Sequence, residues 1–163
     1  MNHKVKNLPA LLQIIRRYKK QGKRIVFTNG CFDLLHLGHV TYLERAKSKG
    51  DLLIVGINSD RSMRTLKGRE RPLVPQSERG RVLAGLSSVD YVTIFDEPTP
   101  LSLICALEPD VLVKGADWKK DSIVGGGEVK HRGGKVITIP VVKGISTTQI
   151  IKRIVERYAR RKK

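Results

Sequence analysis

Aromatic residues are scarce: Phe, Tyr and Trp make up 5% of the 163 residues, and only one is tryptophan. A single-stranded nucleic-acid module built on base stacking needs more of them, so a basic nucleic-acid-binding module is not favoured despite a net charge of +17. Cysteine is nearly absent as well. Cys31 and Cys105 form neither a CxxC pair nor a Cys/His cluster at zinc spacing, which speaks against a disulfide scaffold and a structural zinc site. Reduced thiols in a cytoplasmic protein are expected. No apolar run approaches the ~20 residues that span a bilayer, and the N-terminus has no apolar stretch ahead of a small-residue cleavage site. A soluble, unsecreted protein without a membrane span is the expectation.

Acidic residues are also few, 15 against 32 Lys or Arg, but the imbalance is local. Residues 1–24 carry eight Lys or Arg and no acid, and residues 149–163 carry seven basic residues and one acid, which leaves residues 25–148 near +3. The middle therefore reads as an ordinary enzyme with two basic ends, which could contact another protein or an anionic surface, rather than as a polyanion groove. Length and a 40% hydrophobic content suit one compact domain over residues 1–163.

Hydrophobic periodicity predicts alternating strands and helices. Asn7 is placed to cap a basic amphipathic helix in which Leu8, Leu11, Leu12 and Ile15 recur at helical spacing, ending near Gly22. Strands are expected at 25–28, 52–57, 91–94, 111–113 and 136–139, and helices at 36–49, 77–86 and 101–107. The apolar run at 52–57 suits a parallel strand buried on both faces. Gly125, Gly126 and Gly127 follow no phosphate-loop pattern and read as a flexible loop. Ser146 with Gln149 three residues later is a capping-box signature. It opens a last helix, 146–163 with its basic tail, on which Ile150, Ile151, Ile154, Val155 and Tyr158 form one apolar face expected to pack. The economical architecture is α/β: a single, doubly wound, Rossmann-like parallel sheet.

In such a sheet ligands bind beyond the carboxyl ends of the strands, which directs attention to Thr28-Asn29-Gly30-Cys31-Phe32-Asp33-Leu34-Leu35-His36-Leu37-Gly38-His39. Gly30 permits a tight turn, and the following helix start offers unpaired N–H donors and a positive dipole end to a phosphate. His36 and His39, three apart, can project on one side, with Gly38 leaving room for a phosphate near the backbone. An isolated HxxH is more readily a capping histidine and a core histidine; strand, turn, HxGH and helix in that order are specific. Asp33 is suited to accept from substrate hydroxyls or to cap the helix. Asp117 and Trp118 follow the fourth strand at the same sheet edge, where they could shape the nucleotide or sugar pocket, although Trp118 would equally suit a core.

With these residues, the span from Val26 to Ile154 resembles the cytidylyltransferase-like superfamily of nucleotidyltransferases, whose hallmark is HxGH. The segment from Thr28 to Asp33 and Gly144-Ile145-Ser146-Thr147-Thr148 look like the two nucleotide-contacting segments of that superfamily. Within it the chain is more similar to the adenylyltransferase domains of bacterial heptose biosynthesis. Val55-Gly56-Ile57-Asn58-Ser59-Asp60, Leu66-Lys67-Gly68 with Arg71-Pro72, Thr99-Pro100, and Leu112-Val113-Lys114-Gly115-Ala116-Asp117-Trp118 carry that likeness. Departures are Ala116 where Gly is common, Lys143 where an acid is common, and Val141 where cytidylyltransferases carry Arg.

The resemblance implies transfer of AMP from ATP to D-glycero-β-D-manno-heptose 1-phosphate, giving ADP-heptose and pyrophosphate for lipopolysaccharide. A CTP-dependent transferase acting on glycerol 3-phosphate is the alternative. The attacking phosphate oxygen is already an anion, so no protein nucleophile is needed. His36, His39 and Lys67, taken to lie in a polar loop, are the implied catalytic donors. Asn29, Gly30, Cys31, Phe32, Gly38, Gly144, Ser146, Thr147 and Thr148 are implied nucleotide contacts. Asp33, Arg79, Lys114, Asp117 and Trp118 are implied substrate contacts, with a surface ion pair to Glu78 the other use of Arg79. Mg²⁺ is expected to arrive with ATP, and no metal site of the protein's own is visible. No stretch resembles a sugar kinase, so a separate kinase upstream is expected, and a homodimer is left open.

Overall fold

The computed structural model describes residues 3–116 and 122–159. The chain opens at an edge: Lys6 N–H donates to Val92 O and Val92 N–H to Lys4 O, so Val5 forms an isolated parallel bridge beside the sheet. Asn7 then caps α1 (Leu8–Lys20), its Oδ1 accepting from Ala10 N at 3.0 Å, with proline in the first turn where an N–H is not needed. Arg17, Lys19 and Lys20 occupy the last turn, at the negative end of the helix dipole.

Five strands follow: β1 (Ile25–Gly30), β2 (Leu52–Asn58), β3 (Tyr91–Phe95), β4 (Val111–Gly115) and β5 (Lys135–Ile139). All neighbours pair parallel, in the order β3-β2-β1-β4-β5. Between them lie α2 (Leu37–Lys47), α3 (Asp60–Lys67), α4 (Gln76–Ala84), α5 (Leu101–Leu107) and α6 (Gly126–His131), and α7 (Thr147–Ala159) comes last. The order reverses direction between β1 and β4, the switch point at which the strand ends open into a crevice.

Alternation along β1 sends its side chains to two cores. Val26 packs with Leu43 of α2, Leu83 of α4 and Val55, whereas Ile25 and Phe27 pack with Leu11 and Ile15 of α1 and Leu103, Ile104 and Leu107 of α5. Every residue of β2 is buried, as its unbroken apolar run predicts. Each of Phe27, Ile25 and Leu11, with no exposed surface, contributes about 1.5–3 kcal/mol by burial. The expected α/β, doubly wound, Rossmann-like sheet is what forms.

Four local expectations are corrected. β1 continues through Asn29 and Gly30, which pair with Gly56 and Ile57, so neither belongs to a turn. Lys67 ends a helix that propensity alone did not reveal, because α3 is short and strongly polar. The glycine triplet is ordered: Gly125, at φ +79°, caps α6, and a Cβ there would stand 2.6 Å from Ile104 Cδ1. The apolar face of α7 does not pack as expected. Ile154, Val155 and Tyr158 are exposed, whereas in the first turn Thr147 Oγ1 donates to Leu34 O at 3.4 Å.

Candidate active site

β1 ends at the switch point, and its last residues are tied to the strand on the far side of it. Lys114 Nζ donates to Asn29 Oδ1 at 2.6 Å, joining the ends of β4 and β1. The chain then turns through Phe32, at a left-handed φ of +46°, and not at Gly30. Gly30 has a different reason to lack a side chain: its Cβ would lie 3.0 Å from Phe32 Cε2. The Phe32 ring is thereby laid against the loop, 5.1 Å from the imidazole of His39.

His36 is the N-cap of α2, in extended conformation, but its side chain makes no cap hydrogen bond. The imidazole instead lies over the first turn, in space open because Gly38 has no Cβ; one there would approach His36 Nδ1 to 3.0 Å. His36 and His39 stack, ring centroids 3.8 Å apart and planes 17° from parallel. Burial, then the adjacent His36, push His39 down to about 4, opposed by the Leu34 backbone; burial also lowers His36. Both rings are therefore neutral at pH 7. Among the described residues neither buried Nδ1 atom finds a hydrogen-bond partner, an unusual cost in a protein interior.

Around this pair opens a cavity of about 850 Å³, within the usual range for a small-molecule site. Asn29, Gly30, Cys31, Phe32 and Asp33 line it from the loop, and His36, Gly38 and His39 from the start of α2. Ser146, Thr147 and Thr148 bring a second helix N-terminus, with Ser146 Oγ accepting from Gln149 N at 3.2 Å as the capping signature predicts. Lys67 and Lys114 also face the cavity. Burial pushes the Cys31 thiol up against the pull of Lys67, Arg79 and Arg71, so it is protonated and no ready nucleophile.

Other expected residues stand elsewhere or act differently. Gly144 is exposed, at φ +76°, outside the lining. Asp117 and Trp118 lie outside the described residues. Asp33 neither caps α2 nor holds a free carboxylate: it accepts from Leu73 N at 3.0 Å and Val74 N at 2.9 Å, and pairs with Arg71. Arg79 does not reach the cavity, nor does it pair with Glu78. It is 2% exposed, donating to Val74 O, Cys31 O, Asn58 O and Asp60 Oδ1, so it fastens three segments beneath the site.

The cavity also contains residues absent from the sequence-based candidates. Arg71 and Asn58 line it, as do Tyr42, whose hydroxyl bonds Thr28 Oγ1 at 2.7 Å, and Val124. Its position at the end of β2, within the Val55-to-Asp60 likeness, was the available signal for Asn58. The sequence marks Arg71 only through the Arg71-Pro72 likeness; its place in the cavity follows from the long-range contact with Asp33.

A model of the family described as cytidylyltransferase-like matches residues 27–153. Similar proteins include the bifunctional protein HldE of Methylobacillus flagellatus, 56% identical over 151 residues, and the bifunctional protein HldE of Geobacter sulfurreducens, 57% identical over 155 residues. The alignments cover 93% and 95% of this chain but 31% and 32% of those proteins, so the chain spans about a third of the length of the curated relatives it matches. Among solved structures, a lipopolysaccharide core biosynthesis protein from Thermoplasma volcanium superposes with a TM-score of 0.61 at 27% identity, over 76% of this chain and all of that one. A pantoate-beta-alanine ligase from Francisella tularensis, with a TM-score of 0.59 and 18% identity over 93% of this chain and 77% of that one, shares the fold alone.

Proposed function

Because this chain belongs to the cytidylyltransferase-like family of nucleotidyltransferases, we propose that its cavity binds ATP and transfers AMP to the phosphate of D-glycero-β-D-manno-heptose 1-phosphate, releasing pyrophosphate. The observation that carries this reading is the stacked, neutral His36 and His39 pair at one helix N-terminus, with Ser146, Thr147 and Thr148 at a second opening on the same cavity. Two such ends supply N–H donors and positive dipole ends to a polyphosphate. The identity to proteins named HldE over nearly the whole chain supports the heptose substrate.

In the mechanism the acceptor's phosphate oxygen attacks the α-phosphorus and the bond to the β-phosphate bridging oxygen breaks, so the protein's task is positioning and charge stabilisation. His39 donates to a non-bridging α-phosphate oxygen, and His36 acts on the bridging or β-phosphate side, where charge grows as pyrophosphate leaves. As neutral imidazoles they do so as hydrogen-bond donors. Ser146, Thr147 and Thr148 hold the β- and γ-phosphates, and Lys67 supplies mobile positive charge. Mg²⁺ would neutralise the triphosphate and enter with it. Among the described residues no group of three His, Cys, Asp or Glu is placed to cage an ion, and Asp33, the acid in the lining, is already engaged, which fits an ion held mainly by phosphate oxygens.

The whole chain acts as a single transferase domain in this reading, and a sugar kinase upstream makes the acceptor. Val141, exposed at the cavity wall, offers no donor to read cytosine, which favours adenine. The test supplies ATP or CTP with heptose 1-phosphate or glycerol 3-phosphate and identifies products by mass. ADP-heptose and pyrophosphate are expected; CDP-glycerol as the main product would overturn the substrate assignment.

A further inference from the structure

Bringing an acceptor phosphate dianion against a triphosphate requires positive charge, and the two imidazoles cannot supply it while burial keeps them neutral. Among the described lining residues the cations are Lys67, Arg71 and Lys114. They fall on two sides of β1. Lys114 belongs to β4 and is bonded to Asn29; Ser146, Thr147 and Thr148 come from the segment after β5, the strand beyond β4, with Thr147 Oγ1 bonded to Leu34 O. Lys67 and Arg71 come from the end of α3 and the loop beyond it, on the β2 side.

These two cations differ in how they are held. The Lys67 side chain is exposed at a helix end, free to move through many rotamers. Arg71 is pinned: its Nη1 bonds Asp33 Oδ2, and the Asp33 side chain is 3% exposed and fixed by the Leu73 and Val74 N–H groups. One guanidinium nitrogen is used in that contact. The Arg71 side chain remains 19% exposed and faces the cavity, so its other N–H donors present a planar fork suited to a phosphate.

We infer that Arg71, oriented by the buried Asp33, holds the phosphate group of the acceptor and so sets where the attacking oxygen stands. This rests on the nucleotidyl-transfer reading and adds the residue that recognises the phosphorylated class of acceptor. The nucleotide occupies the β4–β5 side and the acceptor the β2 side, with His36 and His39 between. Asp33 is a positioning residue in this arrangement, acting through Arg71.

The test uses the full chain saturated with a non-hydrolysable ATP analogue and Mg²⁺, titrated calorimetrically with inorganic phosphate as the probe. In Arg71→Gln, phosphate affinity is expected to fall by about 10-fold or more while analogue affinity stays within about twofold. Arg71→Lys, which keeps the charge and loses the fork, is expected to fall between. Asp33→Asn, which loosens Arg71 without removing it, is expected to weaken phosphate binding with Arg71 present. Unchanged phosphate affinity in Arg71→Gln, an equal loss of analogue affinity, or no saturable phosphate binding by the wild type would each overturn the assignment. A wild type that binds phosphate through Arg71 but forms no ADP-heptose would overturn the sugar assignment and leave Arg71 in its role.

Discussion

The imidazoles of His36 and His39 lie face to face, centroids 3.8 Å apart, so a proton on either ring sets a positive charge against the other. Burial first, and this neighbouring ring second, hold His39 at about 4, against 6.5 for an ordinary histidine. The unfolded chain therefore takes up a proton that the folded chain refuses. The stability that depends on a neutral His39 is present above pH 6.5 and is lost progressively as pH falls toward 4. His39→Gln removes the titration and keeps a neutral polar group. It is expected to flatten the acid limb of stability against pH, measured by denaturant unfolding from pH 7 to 4. An unchanged slope in the variant would assign the acid sensitivity to other groups.

Neutral rings also define what the pair can contribute to rate. Each offers a preorganised N–H where charge develops, and deleting one such donor costs roughly 2.7–4 kcal/mol. His36→Ala and His39→Ala are each expected to slow pyrophosphate release by ~10² or more with far-UV dichroism unchanged. Near wild-type turnover in either folded variant would remove that histidine from the mechanism.

The sheet was legible because its strands are apolar runs whose pattern depends on burial alone: 52–57 announces β2, and 101–107 matches α5 residue for residue. HxGH was legible because its meaning is local, a strand end followed by a helix start. What sequence could not convey depends on partners far along the chain. Asp33 looks like a cap until Leu73 and Val74, about 40 residues on, arrive at its carboxylate. Arg79 looks like a surface cation until its guanidinium meets Cys31 O and Asn58 O. The α7 face has the periodicity of a packed helix, yet periodicity records amphipathicity and not whether a surface lies opposite.

Arg79 is expected to be a stability residue. Its truncation to alanine leaves the carbonyls of Val74, Cys31 and Asn58 and the carboxylate of Asp60 without their donor, in a site where Arg79 itself is 2% exposed. Breaking a buried pair in this way costs on the order of 3–5 kcal/mol. Arg79→Lys is also expected to be costly, since one ammonium cannot match a fork spread over four acceptors. Denaturant midpoints measure both. A loss below about 1 kcal/mol in Arg79→Ala would show that water or rearranged loops satisfy these groups instead.

Gly38 separates activity from stability. It sits in the first turn of α2 with an ordinary helical backbone, where alanine is normally better than glycine by about 1 kcal/mol. The nearest atoms to an added Cβ are Nδ1 and Cε1 of His36, at 3.0 and 3.1 Å, and no backbone atom lies closer than Ile145 O at 3.9 Å. The His36 ring must therefore move, and the fold need not. Gly38→Ala is expected to unfold at the same or higher denaturant concentration than the wild type while pyrophosphate release falls toward the rate of His36→Ala. Combined with His36→Ala it should cost little further, because the ring it displaces is already gone. A Gly38→Ala enzyme with full turnover would mean that His36 reaches its working position without the space Gly38 provides. A large further loss in the double variant would instead place the importance of Gly38 in the approach of phosphate to the helix backbone.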